Sequence, residues 1–162
     1  MYLVELAAII YFTRATSRRV VGAMAGGAVV GLMMLGAIAL GKAQGWWQVP
    51  FASTPYFLPL LYLGSAISCA PIYLITWRVT RRFGWRGLVV SIGIAAVMGP
   101  PRDYWIAAMF PEWMVFAPGL APILADSATY VAIVVLGHAV MGLLAGPVGR
   151  DRLARLPRVA AA

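Results

Sequence analysis

Four ionisable side chains lie within or beside long apolar runs: Arg102, Asp103, Asp126 and His138. Ionisable residues at such places are candidates for a ligand or ion pathway, because burying them has a cost that a fold rarely carries without return. Arg102, Asp103 and Asp126 suit an outer mouth that holds an ion or a polar ligand. They equally suit a structural tie in which Arg102 pairs with Asp126 across two helices, given geometry good enough to offset desolvation. Asp126 also falls near a helix start, where a carboxylate complements the helix dipole. His138 suits proton relay or ligand binding. A relay needs further polar stations, which this chain lacks, so a neutral histidine hydrogen-bonded across a bundle takes precedence. On one helix Asp126 and His138 would stand ~18 Å apart along the axis and ~120° apart around it, so they cannot meet directly.

Other chemistry is missing. There is no HExxH and no Gly-x-Ser-x-Gly. Gly36-x4-Gly41-Lys42 approaches a phosphate loop, but Ala43 replaces the hydroxyl that would hold magnesium. One cysteine, Cys69, and one histidine cannot build a Cys/His zinc cage or an intrachain disulfide. Met33, Met34, Met98 and Met141 are scattered over three runs and read as core filler rather than copper ligands. No catalytic residue, metal or cofactor is assigned. A serine near His138, such as Ser91 or Ser127, keeps a membrane enzyme as a third reading.

The elements that must position these residues follow from composition. Of 162 residues, 62% are apolar and 11% charged, with a mean hydropathy of +0.86. A soluble domain of this size cannot hide so much apolar surface, and so small a charged fraction excludes intrinsic disorder. Runs over 20–41, 56–77, 87–110 and 123–148 each approach the ~20 residues needed to cross a bilayer. The expected fold is all-α, an integral membrane bundle of four transmembrane helices forming one domain over 1–162.

Charge placement sets the expected orientation. Of thirteen basic residues, eleven fall in clusters at 14–19, 78–86 and 150–158. Two runs separate each cluster from the next, so four spans place all three on one face. The positive-inside rule makes that face cytoplasmic, with both termini inside. A bacterial cytoplasmic (inner) membrane is the expected location. The net charge of +8 is thereby a topology signal and not a nucleic-acid footprint.

Three segments depart from this regularity. Gly99-Pro100-Pro101 interrupts the third run, because proline lacks an N–H and clashes with the preceding turn. The expectation is a third helix broken at Pro100-Pro101, either kinked or stopped there, and in transporters such breaks mark substrate sites. Residues 1–12 are apolar but reach only ~18 Å as a helix, so they lie at the inner interface or pack against the bundle. Residues 111–122 are apolar, rich in proline and too short to span, and they form an outer lid or a docking surface.

Gly22, Gly26, Gly27, Gly31, Gly142 and Gly146 form small-x3-small pairs that let helix backbones approach closely. They serve packing within one bundle or association with a second chain. Three functional classes follow. The first is a non-enzymatic membrane subunit or scaffold, partnered by lipid and by another membrane protein or further copies of itself. The second is a small oligomeric transporter or channel with a polar site near the third helix. The third is a membrane enzyme using His138.

Overall fold

The computed structural model describes residues 2–147. Its helices are α1 (Tyr2–Thr13), α2 (Ser17–Ala43), α3 (Phe57–Phe83), α4 (Trp85–Met109) and α5 (Leu120–Ala145). A two-residue ladder joins β1 (Trp47–Gln48) to β2 (Val115–Phe116), and a 3-10 turn covers Pro50–Ser53. The architecture is all-α. By length and composition α2, α3 and α5 are each able to cross a membrane. Helix α4 has the length, at 25 residues, but Arg102, Asp103 and two prolines dilute its apolar run.

Local chemistry sets the ends of these helices. Arg14, at φ 54°, turns the chain between α1 and α2. The Thr16 side chain then caps α2 by accepting from the Arg19 backbone N–H at 3.4 Å. One residue, Gly84, joins α3 to α4 at φ 65°, a conformation that costs glycine little because it has no Cβ. Helix α5 stops at Gly146, where the Gly146 N–H donates to the Gly142 carbonyl at 2.9 Å. Its last carbonyls are met by arginines from the start of α2. Arg18 Nε donates to Leu144 O at 3.3 Å, and Arg19 Nη2 to Gly146 O at 3.0 Å. The starts of α2 and α4 and the ends of α3 and α5 thus share one basic end of the molecule.

Two open alternatives narrow here. The third helix does not stop at its prolines: α4 is one continuous helix with Pro100 and Pro101 inside it. Two backbone donors are lost there, but the turn is braced from outside, since the Tyr130 ring of α5 lies on the space a Gly99 side chain would need. Residues 2–13 pack against the bundle, one of the two expected placements, with Thr13 next to the start of α2 at the basic end. Helix α1 stands against α3 and carries the Tyr2 hydroxyl to 3.5 Å from Arg102 Nη2, so Tyr2 sits towards the opposite end. The expected C-terminal position, and Arg150, Arg152, Arg155 and Arg158, fall outside the described residues.

The core lies where α2 meets α3 and α5, around Ala23, Val30, Ala70, Tyr73, Trp77 and Met141. Glycines make this closeness possible. A Cβ on Gly26 would stand 2.6 Å from the Gly137 carbonyl oxygen, and one on Gly27 would stand 2.5 Å from that of Ser65. Gly22 faces Met141 and Gly31 faces Ser65. All four glycines of α2 singled out from the sequence therefore pack inside this chain. Gly142 and Gly146 make no packing contact within this chain, since neither Cβ position meets anything within 4 Å and Gly146 ends the helix. Gly137, facing Tyr73 and Gly26, takes the role on α5.

At the end opposite the basic turn, the two long connections cover the helix ends. The ladder pairs Trp47 with Phe116, and the Ala117 N–H donates to Trp46 O at 2.8 Å. Tyr104 of α4 stacks on Phe116 with centroids 4.2 Å apart, while Trp113 lies 5.3 Å from Phe110. The apolar stretch after α4 is folded down as an aromatic cover.

Candidate functional site

The turn of α4 beyond its prolines presents Arg102 and Asp103 side by side, and α5 presents Tyr130 to both. Arg102 Nη1 donates to the Tyr130 hydroxyl at 3.0 Å, and that hydroxyl donates to Asp103 Oδ1 at 2.8 Å. The direct Arg102–Asp103 approach is longer, at 3.5 Å. Tyrosine thus relays the contact between cation and carboxylate, and together they tie α4 to α5. The cross-helix partner of Arg102 is Tyr130, one turn beyond the Asp126 that spacing suggested. Asp126 is 5% exposed, and its Oδ2 has no hydrogen-bond partner among the described residues. The nearby Tyr104 hydroxyl is likewise buried and unpartnered.

Arg102 is not used up by this network. Its side chain is 50% exposed. A guanidinium has five N–H donors, and among the described residues Nη1 serves Tyr130 and Asp103 while Nη2 reaches only the Tyr2 hydroxyl, at 3.5 Å. Donors remain for an acceptor arriving from outside the chain.

Such an acceptor has an approach. Below Arg102, helices α1, α3 and α4 diverge around a cavity of ≈ 690 Å³. Ile72, Ile75 and Val79 of α3 face Val90, Ile94 and Met98 of α4 across it. Glu5, Ser68, Thr76 and Ser91 add polar points, and Tyr2, Arg102 and Tyr130 form its upper end. From Ser91 to Arg102 the wall of α4 runs ~17 Å, at 1.5 Å per residue. An elongated apolar slot with a cation at one end is complementary to an amphiphile. The combination was invisible from sequence, because it depends on α1 standing upright and on α3 and α4 splaying from a one-residue turn.

His138 lies elsewhere. Its Nδ1 is 3.2 Å from Thr76 Oγ1 on α3, and Thr76 in turn donates to the Tyr73 carbonyl at 3.0 Å. With the threonine hydrogen committed to that carbonyl, Nδ1–H of the histidine is the donor between them. His138 is thus joined across the bundle to a residue of the groove wall, and apart from Arg102, Asp103 and Asp126. Sequence reasoning also passed over Arg19, treated as one charge in a basic cluster. It is fully buried, with its guanidinium carbon 5.3 Å from the centre of the Trp77 ring. No group of three or more metal-ligating side chains occurs among the described residues.

These features define an all-α protein whose three long apolar helices mark it as a membrane protein. No protein-family model, curated protein or solved structure matches the chain.

Proposed function

We propose that this chain is a multi-pass membrane protein that binds and carries an amphiphile. The cargo's anionic or strongly accepting head rests at Arg102, and its apolar tail lies in the groove between α1, α3 and α4. The observation that carries this reading is the ≈ 690 Å³ cavity ending at a half-exposed guanidinium. In this reading α4 crosses with α2, α3 and α5, the basic end faces the cytoplasm of a bacterial inner membrane, and Arg102 lies towards the outer leaflet, where its long side chain reaches the interface.

The test is electron paramagnetic resonance of a fatty acid spin-labelled near its tail, added to the full chain in lipid nanodiscs. Wild-type protein immobilises a fraction of the probe beyond the boundary lipid. Arg102→Gln weakens that fraction about tenfold, the size of one charge-assisted hydrogen bond. Ala95→Phe, which fills the slot, abolishes it. A wild-type spectrum identical to that of Ala95→Phe overturns the proposal.

A second reading, the membrane subunit, keeps one observation in its favour. Gly36, Gly64, Gly93 and Gly142 have open space where a Cβ would stand, so small faces remain for another membrane protein or a second copy. A stoichiometric protein co-purifying in native lipid discs, and lost on Gly142→Leu, would move the weight to that reading. A lone chain would remove it.

A further inference from the structure

The basic end contains a second cavity, distinct from the Arg102 site. It has a volume of ≈ 390 Å³ and is lined by Arg78, Val79, Arg81, Arg82 and Phe83, the last two turns of α3. Arg78, Arg81 and Arg82 line it, and among the described residues no carboxylate does. Arg81 lines the pocket, and its Nη1 is buried with no hydrogen-bond partner among the described residues. A charged donor withdrawn from water and left unmatched is costly, and an anion with several acceptor oxygens relieves that cost. Arg82 is held in place by Phe83, its guanidinium carbon 5.3 Å from the ring centre.

We propose that this pocket holds the phosphate headgroup of an anionic phospholipid. Two observations select a lipid over a free phosphate. Val79 lines both this pocket and the long groove, so the apolar wall continues from the phosphate position towards the interior. Phe83 and Trp85, on either side of the Gly84 turn, are 59% and 70% exposed, the placement of aromatic side chains at headgroup level. The inference goes beyond the amphiphile reading and does not depend on it, since no residue of the Arg102 end takes part.

The experiment is native mass spectrometry of the full chain titrated with dioleoylphosphatidylglycerol or dioleoylphosphatidylcholine. Wild-type protein retains phosphatidylglycerol in preference to phosphatidylcholine. Arg81→Gln lowers that preference about tenfold, Arg81→Lys recovers part of it, and Lys42→Gln, which removes an exposed charge at the far end of α2, leaves it unchanged. Where Arg81→Gln does not fold, Arg78→Gln and Arg82→Gln combined give the same reading. Undiminished preference with all three arginines replaced overturns the proposal. Displacement of phosphatidylglycerol by inorganic phosphate at equal concentration also overturns it, by assigning the pocket to the free anion. An equal loss of the preference in Lys42→Gln would make it a response to net charge and overturn the proposal as well.

Discussion

The two flanks of α3 are built on opposite terms. Towards α2 and α5 the helices close to backbone contact, with a Gly26 side chain excluded by the Gly137 carbonyl oxygen at 2.6 Å. Towards α4, reached through a single residue, the helices border an open groove of ≈ 690 Å³. Adjacency in sequence did not produce closeness; side-chain size did. Lipid tails are as apolar as leucine, so nothing squeezes membrane helices together except the contacts they can make. Glycine on one side permits those contacts, while on the other Ile72, Ile75, Ile94 and Met98 line the groove. One flank is a rigid spine and the other a slot, and the difference can be broken from either side.

The largest effect is expected from adding bulk to the spine. Gly26→Leu pushes a side chain into the α5 backbone, for which a loss of about 3 kcal/mol is expected, the upper part of the overpacking range. Thermal unfolding followed by circular dichroism in detergent checks this. Gly93→Leu adds the same atoms to a helix position with open space and should change stability by less than about 0.5 kcal/mol. Equal losses in the two variants would erase the distinction between the flanks.

Next in size is the seam at the basic end, where Arg19 is buried against Trp77. Trp77→Leu removes the ring and the cation–π contact together, and about 2 kcal/mol is expected to be lost in the same measurement. A stability change near zero would mean that Arg19 is held by its bond to the Gly146 carbonyl and by other neighbours.

Much of the spine was legible and the slot was not, for physical reasons. Apolar runs at 56–77 and 123–148 located helices observed at Phe57–Phe83 and Leu120–Ala145. Helix hydrogen bonding ignores the charges that end an apolar run, so α3 continues through Arg78, Arg81 and Arg82. The glycines of α2 announced close packing, but their partner on α5 was Gly137 and not Gly142, because helical phase relative to a neighbour is not written in one strand of sequence. Arg102 and Asp103 stood out by type. Their link through Tyr130 did not, since the vertical offset between α4 and α5 is set by packing; one turn, ~5.4 Å, separates the right partner from the wrong one. The upright stance of α1 was not readable either, because a short segment whose single charge is Glu5 gives no direction.

At the upper end of the slot, the Tyr130 hydroxyl bridges Arg102 and Asp103 through bonds of 3.0 and 2.8 Å, shorter than their direct 3.5 Å contact. Tyr130→Phe keeps the ring against Gly99 and removes only that link. A loss of about 1 kcal/mol is expected, the usual size of a hydrogen bond and less than either change to the spine. The fatty-acid probe distinguishes two roles. If Tyr130 only ties α4 to α5, probe immobilisation stays as in wild type. If it orients Arg102 towards the head of the cargo, immobilisation falls together with stability.

The smallest effect on stability carries the most information. Ala95→Phe adds a large side chain facing the groove, a heavier insertion than Gly26→Leu. In a close-packed interior such an insertion costs roughly 1–3 kcal/mol. Where the receiving space already exists, the ring fills it, gains dispersion contacts with Ile72 and Ile94, and displaces no backbone. The expected change is within about 0.5 kcal/mol of wild type, measured beside Gly26→Leu under identical conditions, together with loss of the immobilised probe. A destabilisation as large as that of Gly26→Leu would mean that α3 and α4 close on each other in the bilayer, and the slot would disappear as a binding site along with the contrast between the flanks.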